Sequence, residues 1–215
     1  MILAFLYTFY LERMDQDGDT MKPSNEMRKS GIELVDDLPW GTHFCQFYET
    51  KEDLLTTLIP YFKAGLENNE LCVWVTSGFL TKEDALKAMN KSVRGFSEYL
   101  EKGQMEILPC TDFYLKGGKF DLKRALHALI KKHDEALLKG FEGMRGSGNL
   151  HWIDNKKDWD DCVCYEAGIN DVIRNTKLLA MCTYSIEKCG VVEILDVVKN
   201  HYRPSPKHSI PVGFM

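Results

Sequence analysis

The 215-residue sequence has no hydrophobic segment long enough to cross a bilayer as a helix, which takes about 20 apolar residues. Its longest apolar run, residues 1–11, is followed directly by Glu12 and Arg13. The chain has no run of six basic residues, and 32 acidic residues against 27 basic ones give a net charge of −5. We therefore expect no basic face for a nucleic-acid backbone.

The sequence also has no C-x-x-C pair, and its seven cysteines are an odd number. Cys162 and Cys164 form a C-x-C pair without the second pair that a structural zinc site requires. Most cysteines lie in apolar segments, such as Cys72 in LCVWV and Cys182 in AMCT. Because reduced, buried cysteines have such surroundings, we expect a cytoplasmic protein without disulfides.

The first 36 residues differ in composition from the rest of the chain. Segment 1–11 lacks the flanking charge and cleavage site of a signal peptide, which leaves a peripheral extension, a docking helix or a membrane anchor. Residues 14–30 are polar and lack apolar periodicity. We therefore predict a flexible extension at 1–36, with residues 1–30 dispensable for folding, one domain at 37–203 and a tail at 204–215.

From about residue 38 onward, strand-like and helix-like segments alternate. The apolar run 71–76 is typical of a strand buried on both faces, whereas 121–138 has its apolar residues at helical spacing. This alternation predicts an α/β fold with a mostly parallel central sheet and helices on both faces. Strands are predicted at 43–48, 71–76, 105–108, 178–184 and within 141–152, and helices at 52–66, 84–89, 96–100, 121–138, 159–173 and 191–201.

No phosphate-binding loop follows the first strand. The turn there carries three carboxylates, Glu49, Glu52 and Asp53, which would repel a nucleotide phosphate. The tetrapeptide TKED occurs at 50–53 and again at 81–84, and each copy predicts a helix that begins with a threonine cap. We expect two capped helices here and no binding of nucleoside triphosphates.

The first strand contains an H-x-C-x-x-Y motif. His43 and Cys45 share one face of the strand and lie within ~7 Å of each other, whereas Tyr48 faces the other way unless the strand breaks. The three side chains could line a small pocket or be core residues. A Cys45 nucleophile with His43 as its base would need an orienting third group, which the sequence does not identify.

Metal ligation at this motif would need one or two further donors, and the available ones are Cys182, His151 and His201. No metal and no cofactor is assigned from the sequence. His201 is otherwise interpreted as a helix-end histidine that complements the helix dipole.

Four further residues are candidates for the same pocket. Trp74 and Trp152 are core or pocket-wall aromatics. Arg145 could pair with Glu166 or with an anionic ligand, and the pair is favoured. The alternative for Glu166 is a solvated surface charge.

An ordered set of short motifs runs through the predicted domain. It comprises G-x-H-x-C-x-x-Y at 41–48, G-L-x-x-x-E at 65–70, G-G-x-F-D at 117–121, G-x-R-x-x-G-N-x-x-W at 143–152, Y-E at 165–166, C-x-Y at 182–184 and D-V-V-x-x-H at 196–201. The set resembles the MEDS domain, the sensory domain of methanogen and methylotroph proteins, named partly for a dichloromethane-responsive repressor. The resemblance covers residues 37–203 and is greatest to the methanogen branch. In that branch, asparagine is the usual residue at the position of Asn149.

This resemblance implies a RecA/KaiC-like three-layer core without a phosphate loop. It further implies a sensory domain for a small, largely apolar molecule, such as a hydrocarbon or one-carbon derivative, with H-x-C-x-x-Y as the sensing site. The expected ligand-binding residues are His43, Cys45, Tyr48, Trp74, Arg145, Asn149, Trp152, Glu166, Cys182 and Tyr184.

Members of the family are often fused to histidine-kinase or DNA-binding modules, which this chain lacks. We therefore expect it to signal to a partner kinase or transcription regulator, without direct contact to nucleic acid, or to be a fragment of a longer protein. A homo-oligomer is left open.

Three hypotheses follow. The leading one is a non-enzymatic cytoplasmic sensor; the others are an enzyme that uses Cys45 and His43, and a scaffold with an empty ancestral site. The sensor hypothesis predicts one partly enclosed cavity at the carboxyl end of the first strand. The residues expected around it are His43, Cys45 and Tyr48, with Trp74, Arg145 and Trp152 nearby.

Overall fold

The structure, a computed structural model, describes residues 26–201 and the backbone of 213–214. Its strands are β1 (Met27–Arg28), β2 (Leu38–Pro39), β3 (His43–Tyr48), β4 (Leu71–Thr76), β5 (Met105–Pro109), β6 (Met144–Asn149), β7 (Leu178–Ser185) and β8 (Gly213–Phe214). Its helices are α1 (Lys51–Glu67), α2 (Lys82–Ser92), α3 (Phe96–Glu101), α4 (Cys110–Phe113), α5 (Leu122–Leu138), α6 (Lys156–Ile173) and α7 (Val191–His201), and a 3₁₀ turn covers Ile186–Lys188.

Six strands form one sheet in the order β5–β4–β6–β7–β3–β8, and every pairing in it is parallel. The prediction of a mostly parallel sheet between helices is therefore confirmed. Strands β1 and β2 were not predicted; they pair antiparallel in a separate two-stranded sheet. Since β3 lies between β7 and β8, the first long strand is separated from β4 by two others.

Both TKED segments begin helices, as predicted. The Thr50 hydroxyl accepts a hydrogen bond from the backbone N–H of Asp53 at 3.2 Å, and the Asp53 carboxylate accepts one from the N–H of Thr50 at 2.8 Å. Thr81 and Asp84 form the same capping box at the start of α2. Each box satisfies N–H groups that a helix terminus would otherwise leave unpaired.

Helices cover the sheet on both faces, and each face has its own apolar core. Helices α1, α2 and α3 pack on one face, hereafter the α1 face. Helices α5, α6 and α7 pack on the other, hereafter the α6 face. Because side chains alternate along a strand, Cys45 and Phe47 of β3 enter the α6 face, while Phe44 and Tyr48 enter the α1 face.

Residues 26–36, which the sequence analysis assigned to the extension, contact the domain. Arg28 Nε donates to Glu70 Oε1 at 2.9 Å, and the guanidinium of Arg145 donates to the carbonyl oxygens of Lys29 and Ser30. These bonds satisfy buried charges, which is why a polar segment without periodicity is nevertheless ordered. The rest of the predicted extension, residues 1–25, lies outside the described residues.

The backbone of 213–214, within the predicted tail, pairs in parallel with β3 at Gln46 and Phe47. All seven cysteines carry free thiols. Across residues 26–201 no helix is both long and apolar enough to span a membrane.

Candidate functional site

A cluster of four polar side chains lies in the α6 face, and we call it the His–Glu–Cys centre. It consists of His43 from β3, Glu166 from α6, Cys182 from β7 and His201 from the end of α7. One donor atom from each residue lies within 4.8 Å of the other three, and all four residues are buried. The centre thus connects the sheet with helices α6 and α7.

The distances within the centre are short. Glu166 Oε2 lies 3.1 Å from the Nε2 atom of His43 and 3.1 Å from that of His201. The two Nε2 atoms are 3.2 Å apart, and Cys182 Sγ lies 3.3 Å from Nε2 of His43. Neither carboxylate oxygen of Glu166 has a correctly aligned hydrogen-bond partner among the described residues, so these contacts are short without being hydrogen bonds of good geometry.

Local structure explains how these residues meet. In the parallel register of β3 and β7, His43 lies opposite Ala180 and Cys45 opposite Cys182, which brings both pairs to the same face. Glu166 lies in the middle of α6, on the side that packs against the sheet. Strand pairing and helix packing therefore bring together residues that are more than 100 positions apart in the chain.

The electrostatics of the centre follow from burial and proximity. Burial, and then the nearby His201, lower the pKa of His43. Burial also lowers the pKa of His201, but Cys45 and Glu166 outweigh it and raise that pKa to about 10. Burial alone would raise the pKa of Glu166, but the two imidazoles hold it well below its usual range. The described centre thus pairs a carboxylate with an imidazolium at His201.

An open groove of about 300 Å³ lies at the carboxyl ends of β6 and β7, beside the start of α6. Its lining includes the side chains of Leu150, Ile153, Trp159, Tyr184 and Ser185. The Tyr184 and Ser185 hydroxyls are buried and have no hydrogen-bond partner among the described residues. In an open parallel sheet this edge is where ligands bind.

Tyr184 connects the groove to the centre. It lines the groove, and its ring centroid lies 6.1 Å from that of His201. Burial, and then the negative charge of Glu166, raise the pKa of its hydroxyl. A change in one site can therefore affect the other through one side chain.

The structure separates residues that the sequence analysis placed in one cavity. Tyr48 lies in the α1 face, where Asn149 Nδ2 donates to its hydroxyl at 2.9 Å. The expectation that His43, Cys45 and Tyr48 line the same cavity is therefore wrong. The strand stays regular through Tyr48, so its side chain points away from the other two.

Trp74 and Arg145 also lie away from the centre. Trp74 stacks on Phe62 in the α1 face, with ring centroids 5.1 Å apart. Arg145 forms a buried ion pair with Glu70. The predicted pairing of Arg145 with Glu166 is wrong because Arg145 and Glu166 lie on opposite faces of the sheet.

Trp152 lies in the α6 face, where it stacks on Tyr114 with centroids 5.7 Å apart, and it does not line the groove. Of the donors named for a metal, His151 packs against Phe79 with centroids 5.3 Å apart, outside the centre. His201 belongs to the centre and is not a simple helix-end histidine, and Glu166 is buried, not a surface charge.

The sequence analysis missed several residues of the site, among them Asn170 at the centre and most of the groove lining, including Trp159. Asn170 lies one helical turn after Glu166 and contacts His43, so the i, i+4 spacing on α6 was the available signal. Trp159 lines the groove and donates to Asp196 Oδ2 of α7 at 3.4 Å. Nothing in its sequence surroundings distinguishes it from a core tryptophan.

Solved structures with a similar fold include the following two proteins. The chain is 17% identical to a KaiC-like protein from Pyrococcus horikoshii OT3, with a TM-score of 0.50, over 74% of this chain and 70% of that one. It is 14% identical to the flagellar accessory protein FlaH from Methanocaldococcus jannaschii, with a TM-score of 0.53, over 83% of this chain and 76% of that one. These matches show a RecA/KaiC-like fold.

No curated protein matches the chain. The sequence profile of the family described as "MEthanogen/methylotroph, DcmR Sensory domain" matches residues 42–202, which include every residue of the His–Glu–Cys centre and of the groove. The chain therefore belongs to the MEDS family of sensory domains.

Proposed function

We propose that this protein is a sensor that binds a small, largely apolar molecule in the groove and passes the signal to a partner protein. The observation that carries the proposal is the groove of about 300 Å³ at the carboxyl edge of the sheet, with the buried, unpartnered hydroxyl of Tyr184 in its wall. Ligand sites are typically apolar pockets that contain a few such polar groups.

The lining indicates the class of ligand. Leu150, Ile153 and Trp159 supply apolar surface, and the Tyr184 and Ser185 hydroxyls supply one hydrogen-bonding corner. Polar and charged residues also line the groove: Asp154, Asn155, Lys156, Lys188 and Glu193. The volume is at the lower limit of ordinary ligand pockets, roughly 300–1,000 Å³. A hydrocarbon derivative with a polar group suits both features, whereas a one-carbon compound would occupy only part of the volume.

Helix α7 is our candidate for the relay. Glu193 of this helix lines the groove, and His201 at its end belongs to the centre. Its outer surface exposes three aliphatic side chains: Val191 is 76% exposed, Val192 65% and Leu195 50%. A shift of α7 on ligand binding would thus reach a surface suited to a partner kinase or transcription regulator in the cytoplasm.

The structure offers little support for the enzyme alternative. Cys45 is 1% exposed, and the contacts of Nε2 of His43 are with Cys182, Glu166 and His201. A catalytic thiol must be reached by its substrate and activated by its base. We therefore propose a non-enzymatic role.

The proposal is tested by saturation-transfer NMR titrations of the full chain with methanol and dichloromethane as probes. Tyr184→Phe should weaken the binding of methanol roughly 2–10-fold because one hydrogen bond is lost, and should leave dichloromethane unchanged. The matched control is Tyr48→Phe, which removes a buried hydroxyl from the opposite face. If neither probe binds the wild-type chain, or if both variants lose the same affinity for methanol, the groove is not the sensing site.

A further inference from the structure

We propose that the His–Glu–Cys centre is a binding site for one divalent transition-metal ion of the zinc class, held by His43, Glu166, Cys182 and His201. The proposal goes beyond ligand sensing in the groove, and it rests on the positions of the four donor atoms and on the hydrogen bonds behind them.

The donor atoms lie close to the separations that a tetrahedral ion imposes. With bonds of about 2.0–2.3 Å, such an ion holds its nitrogen, oxygen and sulfur ligands about 3.3–3.7 Å apart. In the centre, the contacts among the two Nε2 atoms and Glu166 Oε2 are 3.1, 3.1 and 3.2 Å, and Cys182 Sγ lies 3.3 Å from Nε2 of His43. The remaining separations are within 4.8 Å.

Hydrogen bonds at the outer nitrogens direct both imidazoles inward. Nδ1 of His201 lies 2.8 Å from the carbonyl oxygen of Val197, which can only accept, so this Nδ1 carries the proton. Nδ1 of His43 lies 3.3 Å from Oδ1 of Asn170. The Asn170 amide nitrogen donates to the carbonyls of Glu166 and Asn200, which assigns its oxygen to His43.

In the neutral form that metal binding requires, both imidazoles would therefore present a bare Nε2 to the centre, with partners at Nδ1 of the kind that orient histidine ligands in metal sites. The two Nε2 atoms and the Glu166 carboxylate then converge in one buried volume, in which neither carboxylate oxygen has an aligned donor among the described residues. Such an arrangement is unfavourable unless a cation or a proton occupies it. A metal ion would satisfy all of the converging groups together.

The charges also balance. A divalent cation with the Glu166 carboxylate, the Cys182 thiolate and two neutral imidazoles is electrically neutral. Binding releases the Cys182 thiol proton, and any imidazolium proton, to solvent. Imidazole, thiolate and carboxylate together suit zinc, or cobalt as its spectroscopic substitute, better than magnesium or calcium, which prefer oxygen ligands only.

Four protein ligands complete a tetrahedron and leave no open position for water. The site is thus of the structural type, in which metal binding contributes to folding stability. Its ligands come from β3, α6, β7 and α7, so the ion would fasten α7 to the rest of the α6 face.

The test is a titration of the chelator-treated, untagged full chain with Co²⁺, followed by absorption spectroscopy and native mass spectrometry. We expect one ion per chain, with the intense visible bands of tetrahedral cobalt and a sulfur-to-cobalt charge-transfer band. Cys182→Ser should remove the charge-transfer band, and His201→Gln or Glu166→Gln should weaken binding at least about 100-fold, since loss of an outer partner alone costs ~10–100-fold. Cys164→Ser, at an exposed thiol of α6, is the matched control and should behave as wild type.

Cys45 lies opposite Cys182 and beside His201, so Cys45→Ser tests which sulfur binds. A charge-transfer band lost only in Cys45→Ser would overturn the assignment of Cys182. A folded wild-type chain that takes up no cobalt, or only octahedral cobalt, would overturn the metal site itself, even if every variant failed to fold. The titration contains no small organic molecule, so its outcome is independent of the groove proposal.

Discussion

The two faces of the sheet each bury charged residues, in contrasting ways. On the α1 face, Arg145 donates to Glu70 and to the carbonyls of Tyr61, Ser30 and Lys29, and Glu70 also accepts from Arg28. On the α6 face, the Glu166 carboxylate lies beside two imidazoles without an aligned donor among the described residues.

We interpret the α1-face cluster as structural and the His–Glu–Cys centre as a candidate binding site. A buried ion pair whose hydrogen bonds are all made holds elements together and needs no ligand. A buried group of acceptors without donors has unused binding capacity. This contrast supports our proposal that sensing takes place on the α6 face, in the groove that Tyr184 connects to the centre.

The largest expected effect is a loss of folding stability when the ion pair on the α1 face is broken. Arg145→Met should lower the free energy of unfolding by ~3–5 kcal/mol, because it leaves the buried carboxylate of Glu70 without its main partner. Urea unfolding followed by circular dichroism measures the change. Lys156→Met, which removes an exposed pair with Asp160, is the control and should change stability little. An equally small change for Arg145→Met would show that the α1-face cluster is not structural.

Alanine substitutions at two helical glycines test how tightly the two faces are packed. A Cβ at Gly65 of α1 would lie 2.5 Å from Nε of Arg145, which the ion pair holds in place. A Cβ at Gly168 of α6 would lie 2.7 Å from the Cδ1 atom of Leu126, an aliphatic end that can rotate. We expect Gly65→Ala to cost ~1–3 kcal/mol, and Gly168→Ala to be close to neutral because the gain in helix propensity offsets the crowding.

Thermal unfolding of both alanine variants measures this difference. If Gly168→Ala is destabilised and Gly65→Ala is unaffected, the α6 face is packed more tightly than the α1 face, which contradicts our prediction.

The smallest effect concerns thiol reactivity. Cys164 is exposed and should be alkylated first. Burial raises the pKa of Cys72 on the α1 face and of Cys182 on the α6 face, so both should react slowly in the native protein. If the metal site is correct, Zn²⁺ should slow the alkylation of Cys182 further and leave Cys72 unchanged, as measured by mass spectrometry of labelled peptides. Equal protection of both thiols would point to general stabilisation in place of ligation.

Local patterns of the sequence determined much of the fold. Local composition located the five longest strands, the helical spacing of apolar residues located most of the helices, and TKED located two helix starts. These properties depend on neighbours a few positions apart. The alternation of His43 and Cys45 on one strand face was equally local, and it placed both side chains in the α6 face.

Other features of the structure could not be predicted from local patterns of the sequence. The order of residues 26–36 depends on Arg28 reaching Glu70 and on Arg145 reaching Lys29 and Ser30. The separation of Tyr48 from His43 depends on β3 remaining regular to its end. Neither property has a signal within a short window of sequence, since each depends on what the segment packs against.

The sequence by itself thus determined the class of fold, the helix caps, the missing phosphate loop and the family to which the chain belongs. Only the tertiary structure decided that Glu166 and His201, and not Tyr48 or Arg145, meet His43 and Cys182. The physical reason is that β3 pairs with β7 and α7 packs against α6, and these long-range contacts bring together donor atoms from residues up to 158 positions apart.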